Sequence, residues 1–188
     1  MKKTLIVLLV VTMVFSMTAC GKNENNSNEI NVKDSLEILD TVWNSYDEDM
    51  KFPISGGDYN NSVDNAPGKC DISDEEYLTG FLGVPREYVK DIDDAASIIH
   101  MMNSNTFTAG AFHLTDSERQ SAFTTAIRDD ILNRQWVCGF PDTLIVVTIG
   151  DSYVISAFGA DDIIQNFKEV LCNKYPEAKV LYEENLAE

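Results

Sequence analysis

Leu144-Ile145-Val146-Val147-Thr148-Ile149, then Gly150-Asp151-Ser152, then Tyr153-Val154-Ile155-Ser156-Ala157-Phe158: two apolar runs around a tight turn place a β-hairpin at the centre of the chain's architecture. β-Branched residues fill the first run, and their stiff side chains favour extended backbone. Gly-Asp-Ser supplies the conformations of a tight turn, so the second run returns as the antiparallel partner of the first. A lone hairpin is barely stable, so its apolar side must be covered by another layer. The flanking sequence supplies that layer. Downstream, Asp161-Asp162 suits the positive end of a helix whose Ile163, Ile164, Phe167, Val170 and Leu171 share one face; Pro176 stops it and an acidic tail follows. Upstream, Thr115-Asp116-Ser117-Glu118 has capping-box form. It opens a helix carrying Phe123, Ile127 and Ile131, which ends before Gly139-Phe140-Pro141.

Further upstream, the apolar runs 95–102 and 107–114 flank Asn103-Ser104-Asn105-Thr106. They read as a second hairpin, although the Ala and Met of the first run also suit a helix. The order from residue 95 is then strand, strand, helix, strand, strand, helix. The expectation is an α+β domain of two layers. Two hairpins merge into an antiparallel sheet of about four strands in ββαββα order, with the helices on one face. N-terminal helices precede it. Asp34-Ser35-Leu36-Glu37 caps a helix with Ile38, Leu39, Val42, Trp43 and Tyr46, and Ser73-Asp74-Glu75-Glu76 caps a shorter one with Tyr77, Leu78 and Phe81. Gly83 can end that second helix, and Pro85 starts a further turn through Val89.

The N-terminus carries an address. Lys2 and Lys3 precede an uncharged apolar run that ends Met17-Thr18-Ala19-Cys20-Gly21. The run is too short to span a bilayer, which takes about 20 apolar residues. A secretory signal over residues 1–19 fits, and small residues before a cysteine suit a lipoprotein signal peptidase. Cleavage after Ala19 by an ordinary signal peptidase is the alternative. On the lipoprotein reading the Cys20 thiol carries diacylglycerol, and two chains of the palmitate type hold a protein on a membrane where one does not. Residues 20–33 are polar and read as a flexible tether, leaving 34–188 as one α+β domain. The expected location is the outer face of the cell membrane.

The net charge of −17 becomes −19 once the signal, with its two lysines and no acid, is removed. Such a surface repels nucleic acid, so no nucleic-acid partner is expected. Four cysteines are present, and Cys20 is assigned to lipid. Cys70, Cys138 and Cys172 form no C-x-x-C pair and one bridge at most.

Several segments carry a resemblance: Phe52-Pro53 with Gly56-Gly57-Asp58-Tyr59, Asp93-Asp94-Ala95-Ala96, His100-Met101-Met102-Asn103, Asn133-Arg134-Gln135-Trp136, Cys138-Gly139-Phe140-Pro141 and Ser156-Ala157-Phe158-Gly159. In these the chain resembles an uncharacterised family of small lipoproteins from anaerobic Gram-positive bacteria, some of them labelled "bacteriocin transport accessory protein". The resemblance implies a surface lipoprotein and brings no catalytic residues. Thioredoxin-like members would need a C-x-x-C motif, which this chain lacks.

Candidate sites are few. His100 and His113 would form a metal pair only if register placed them side by side. No G-x-S-x-G, H-E-x-x-H or phosphate-cradling glycine loop occurs. The stretch 55–71 is rich in Gly, Asn, Asp and Pro, and it is long for a structureless loop in a compact domain. Asp58, Tyr59, Asn60 and Asp64 are its candidate ligand or partner residues. The oxygens of Asp58, Asn60 and Asp64 suit calcium by type, but no EF-hand glutamate closes the set. The bland alternative is a loop whose Asx side chains bond their own backbone. The reading favoured by this sequence is a non-enzymatic binding module at the cell surface, with no catalytic residue, cofactor or metal assigned. A thiol-dependent enzyme or redox accessory using Cys138, and a calcium-stabilised surface domain, are the alternatives.

Overall fold

A computed structural model describes residues 32–102, 106–137 and 139–186. The elements run α1 (Ser35–Trp43), β1 (Ile54–Gly56), β2 (Val63–Asp64), β3 (Gly68–Lys69), α2 (Glu75–Gly80), β4 (Ile92–His100), β5 (Thr108–Leu114), α3 (Gln120–Leu132), β6 (Thr143–Ile149), β7 (Tyr153–Gly159), α4 (Asp161–Lys174) and β8 (Lys179–Asn185). Two of the three expected caps form. Asp34 Oδ1 accepts from Glu37 N at 2.9 Å, and Asp74, one residue later than the sequence pattern implies, accepts from Tyr77 N at 3.0 Å. At the third, Thr115 Oγ1 donates to Asp91 O, Asp116 accepts from Glu118 N in a short turn, and α3 begins at Gln120 without a side-chain cap.

The sheet corrects the expectation of about four strands. Among the described residues it has eight, in the order β2-β1-β4-β5-β7-β6-β8 with β3 also paired to β4, and these pairings are all antiparallel. The four expected strands are its centre. The additional ones escaped for physical reasons. β1, β2 and β3 are two or three residues each inside the Gly-rich stretch, too short to show a period. β8 carries Lys179, Glu183 and Glu184 and reads as acidic tail, yet such charges are what protects an exposed edge strand. Its pairing with β6 skips Leu181, a bulge that adds to that protection.

The single-face arrangement is corrected too. α1 and α4 cover one face over Ala96, Ile98, Ala109, Ala111, Ile145, Val147 and Ile155. α2 and α3 cover the other over Ala95, Phe112, Leu114, Leu144, Val146 and Val154. The molecule therefore has three layers. Topology explains why. β5 crosses through α3 to β6, and β7 crosses through α4 to β8, each stepping two places in the same direction across the sheet. β5 and β7 run oppositely. Two crossovers of the same hand from opposed strands must then lie on opposite faces. β6 shows the consequence in its composition: all seven residues are buried, as in a strand covered on both sides.

α1 defines two poles. At its start, Ser35 N donates to Asp94 Oδ2 at 2.6 Å, and Val32 O accepts from Tyr153 Oη at 3.4 Å. At its end, Trp43 packs on Phe52 at 5.3 Å, and Phe52 stacks on His100 at 4.6 Å. Asp94 and His100 belong to one strand, so the poles lie about 20 Å apart. The described chain enters at the Asp94–Tyr153 pole. Residues 1–31, with Cys20 and most of the expected tether, lie outside the described residues, as does Cys138.

Candidate functional site

The stretch 55–71 is built around one carboxylate. β1 and β2 pair through Ser55 with Asp64 and Gly56 with Val63, and β3 returns to β4. Asp58 sits at the tip of that path and is buried. Its Oδ1 accepts from Asn60 N at 2.8 Å and Asn61 N at 2.9 Å, and its Oδ2 accepts from Asp71 N at 2.5 Å. The Asn61 side-chain amide reaches both oxygens at 3.0 Å. Burial pushes the carboxyl up, but these donors outweigh it and hold it below the usual carboxylate range. A carboxylate offers about four lone-pair positions, and here donors of the chain occupy them. Asn60 and Asp64 are exposed, and although the Asn60 backbone N–H reaches this carboxylate, neither side chain does. The four candidate residues thus divide: Asp58 organises the loop, while Asn60 and Asp64 decorate it.

Gly57 continues the construction. Its φ of +81° and the approach of Asn61 O to 2.2 Å from where a Cβ would lie admit only glycine. Its carbonyl accepts from Tyr77 Oη at 2.5 Å and Ser97 Oγ at 2.8 Å. Tyr77 is thereby fixed upright and stacks on Phe81 at 5.3 Å, and Tyr59 meets both rings edge-on at 5.5 and 5.2 Å.

Tyr59 belongs to a larger exposed surface. It is 67% exposed, Phe81 42%, Met101 54% and Met102 57%. Phe81 is a ridge between two open clefts. One of about 300 Å³ is lined by Gly57, Tyr59, Tyr77, Phe81, His100 and Met101. The other, about 630 Å³, is lined by Phe81, His100, Met102, Phe107, Trp136 and Phe158. Arg134 fastens the collar from behind. Its guanidinium donates to the carbonyls of Phe81 and Thr79, each at 3.3 Å, and lies over Trp136 and Phe158 at 5.5 and 5.8 Å. Exposed Phe140 precedes β6 at the same end of the sheet. The collar occupies the His100 pole, opposite the chain's entry.

The histidines share a face but not a place. His100 ends β4, whereas His113 stands opposite Asp94 in β5. His100 Nδ1 accepts from Met102 N at 2.9 Å, and burial holds the ring below its ordinary pKa, so it is the neutral acceptor at pH 7. His113 Nδ1 bonds Asp93 Oδ1 at 2.5 Å, and its ring packs on Tyr153. Among the described residues no cluster of three His, Cys, Asp or Glu residues is arranged to hold a metal. Cys70 and Cys172 are free; burial pushes the Cys70 thiol up to about 12 and raises Cys172 as well. A nucleophilic thiol needs the opposite shift.

Sequence reasoning reached Tyr59 but not Phe81, Met101, Met102 or Trp136. Phe81 reads there as part of an apolar helix stripe, and the methionines as the end of a buried strand. Their exposure follows from β4 ending at His100. The available signal was two large apolar side chains running straight into an Asn-rich turn. Comparison with protein-family models, with curated proteins and with solved structures finds no match.

Proposed function

We propose that this chain is a membrane-tethered, non-enzymatic binding module whose aromatic collar receives an apolar segment of an extracellular protein partner. The observation that carries the reading is the collar itself: exposed aromatic and methionine side chains flanking two clefts, at the pole opposite the chain's entry. Contiguous exposed apolar surface of this kind marks interaction sites, and aromatic residues and Met are enriched at their cores. Methionine adapts to varied partners, whereas the rings, pinned by Tyr77 and Arg134, are pre-organised. Both clefts are open, which suits protruding side chains of a partner better than a small molecule, whose surface a pocket buries mostly. The basic start, apolar run and Cys20 of the sequence support an anchor on the outer face of the membrane. With the entry pole toward the bilayer, the collar points outward.

The test places a photo-crosslinking amino acid at Tyr59 in the full chain on intact cells. A discrete crosslinked protein band, lost when Phe81→Ser and Met102→Ser are added and absent from a probe at Glu169 on α4, supports the proposal. Identical labelling from both positions, or none, contradicts it.

A further inference from the structure

His100 and Trp136 bring two ring N–H donors to the collar, and neither donor meets an acceptor among the described residues. Met102 N donates to His100 Nδ1 at 2.9 Å, so that nitrogen accepts and the neutral ring carries its proton on Nε2. Phe52, stacked on the imidazole at 4.6 Å and 8°, holds its plane. His100 lines both clefts. Trp136 lines the larger one, and an indole N–H can only donate. The charged side chains of the same linings are already engaged. Asp58 is filled by donors of its own loop. The Arg134 guanidinium is taken by the carbonyls of Phe81 and Thr79 and by Asp130 at 3.4 Å. Tyr59, Phe81, Met101 and Met102 supply exposed apolar surface around the two donors.

We infer, resting on the reading of the collar as a binding surface, that its occupant is a proline-rich segment in the polyproline II conformation. Its carbonyl oxygens accept from His100 Nε2 and the Trp136 indole, and its pyrrolidine rings enter the clefts on either side of Phe81. The chemistry of the lining selects that class. A polyproline II helix has no internal hydrogen bonds, so its carbonyls are free to accept. Proline has no N–H, so the segment asks the clefts for no acceptor in return. Aromatic-lined grooves take such segments, whose backbone is already ordered before binding. An α-helix spends its carbonyls on itself and would leave both ring donors covered and unpaired. An added β-strand needs an open sheet edge, and β4 at this pole is paired on both sides, to β1 and to β5. Charge sets the flanks. The chain's net charge is −17, and Arg134 is engaged, so lysine or arginine beside the proline run is favoured over acids.

The probe is a fluorescein-labelled decaproline with lysines at each end, titrated with the full chain in a neutral detergent and read by anisotropy. Saturable binding is expected, with a glycine–serine peptide carrying the same lysines at least about tenfold weaker. His100→Phe keeps a ring to stack on Phe52 but removes the donor, and about tenfold weaker binding is expected. His100→Gln, whose side-chain amide puts an N–H near the place of Nε2, is expected to restore most of it. Trp136→Phe tests the second donor with the same expected loss, and unchanged melting temperatures establish that the variants are folded. Absence of decaproline binding overturns the assignment. So does equal binding of the glycine–serine peptide, or binding indifferent to both His100→Phe and Trp136→Phe. The Tyr59 crosslink on cells separates the occupant from the surface. A band lost under excess decaproline supports the assignment. A band that survives it keeps the collar as a binding surface and overturns the proline-rich occupant, whereas no band at all removes the surface itself.

Discussion

Replacing Asp58 by Ala tests whether that carboxylate builds the loop or serves as a ligand. The substitution removes the acceptor of three backbone N–H groups and one side-chain amide. Hydrogen bonds to a charged group each contribute about 1.5–3 kcal/mol net. Asn60, Asn61 and Asp71 are exposed residues, so water replaces part of what is lost. A cost of about 3 kcal/mol remains after that discount. For a domain of this size it corresponds to roughly 6–12 °C in melting temperature. Asp58→Asn keeps one acceptor oxygen but sets an amide donor against Asp71 N–H or its neighbours, at a cost of about 2 kcal/mol. The pH dependence has a definite sign. The folded carboxyl lies below its usual range. Its contribution is therefore full above the unfolded value near 3.9 and lost as pH falls through the folded value. Urea unfolding followed by circular dichroism should show the wild-type advantage over Asp58→Ala at pH 7 and its decline below about pH 4. An Ala variant within about 0.5 kcal/mol of wild type, or a wild type whose melting temperature calcium raises, would refute the reasoning.

Other expectations concern separate parts of the molecule. Cys20→Ser should move the protein from the membrane fraction to the medium or the soluble fraction, measured by immunoblot of fractionated cells; unchanged attachment would contradict the anchor. Burial raises the Asp94 carboxyl, but Lys69 at 2.8 Å and the N–H of Ser35 outweigh it and hold it low. Asp94→Asn should thus destabilise the fold at neutral pH, with the difference vanishing as pH falls through the depressed value; a difference constant down to pH 2 would oppose this. Phe123, fully buried and packed on Phe112 and Tyr88, should cost about 3–5 kcal/mol when changed to Ala, read by urea unfolding. The Cys70 thiol should react with a disulfide reagent at pH 7 only after denaturation, and rapid native labelling in a Cys172→Ser, Cys138→Ser background would show that it is not buried.

Much of the centre of the fold was legible in the sequence because its signals are local. The caps at Asp34 and Asp74, the run 144–149 and the turn at Gly150-Asp151-Ser152 each carry their own instructions. What was not legible depends on non-local arrangement. The faces taken by α3 and α4 follow from strand order, since β7 inserts between β5 and β6, and no residue pattern announces an insertion. β6 offered a partial clue, because an unbroken apolar run implies cover on both sides, yet a two-layer reading leaves that clue unused. β8 was obscured by the charges that protect it. In the candidate site, composition marks the loop and names Asp58 as a candidate ligand or partner residue, whereas the structure turns its carboxylate inward onto the loop's own N–H groups. Its inward orientation depends on Asp71, 13 positions away. The collar depends on four separate segments meeting at one pole, which no single stretch of sequence encodes.

A collar that binds a partner must be at the pole the protein presents to its surroundings. The direct measurement attaches a fluorophore in turn at Lys33 and at Met101 of the lipid-bearing chain in vesicles containing headgroup-quencher lipids. Strong quenching at Lys33 and little at Met101 is predicted, with the collar free in solution. Stronger quenching at Met101 would put the aromatic end into the bilayer and contradict the proposal of an outward-facing binding surface.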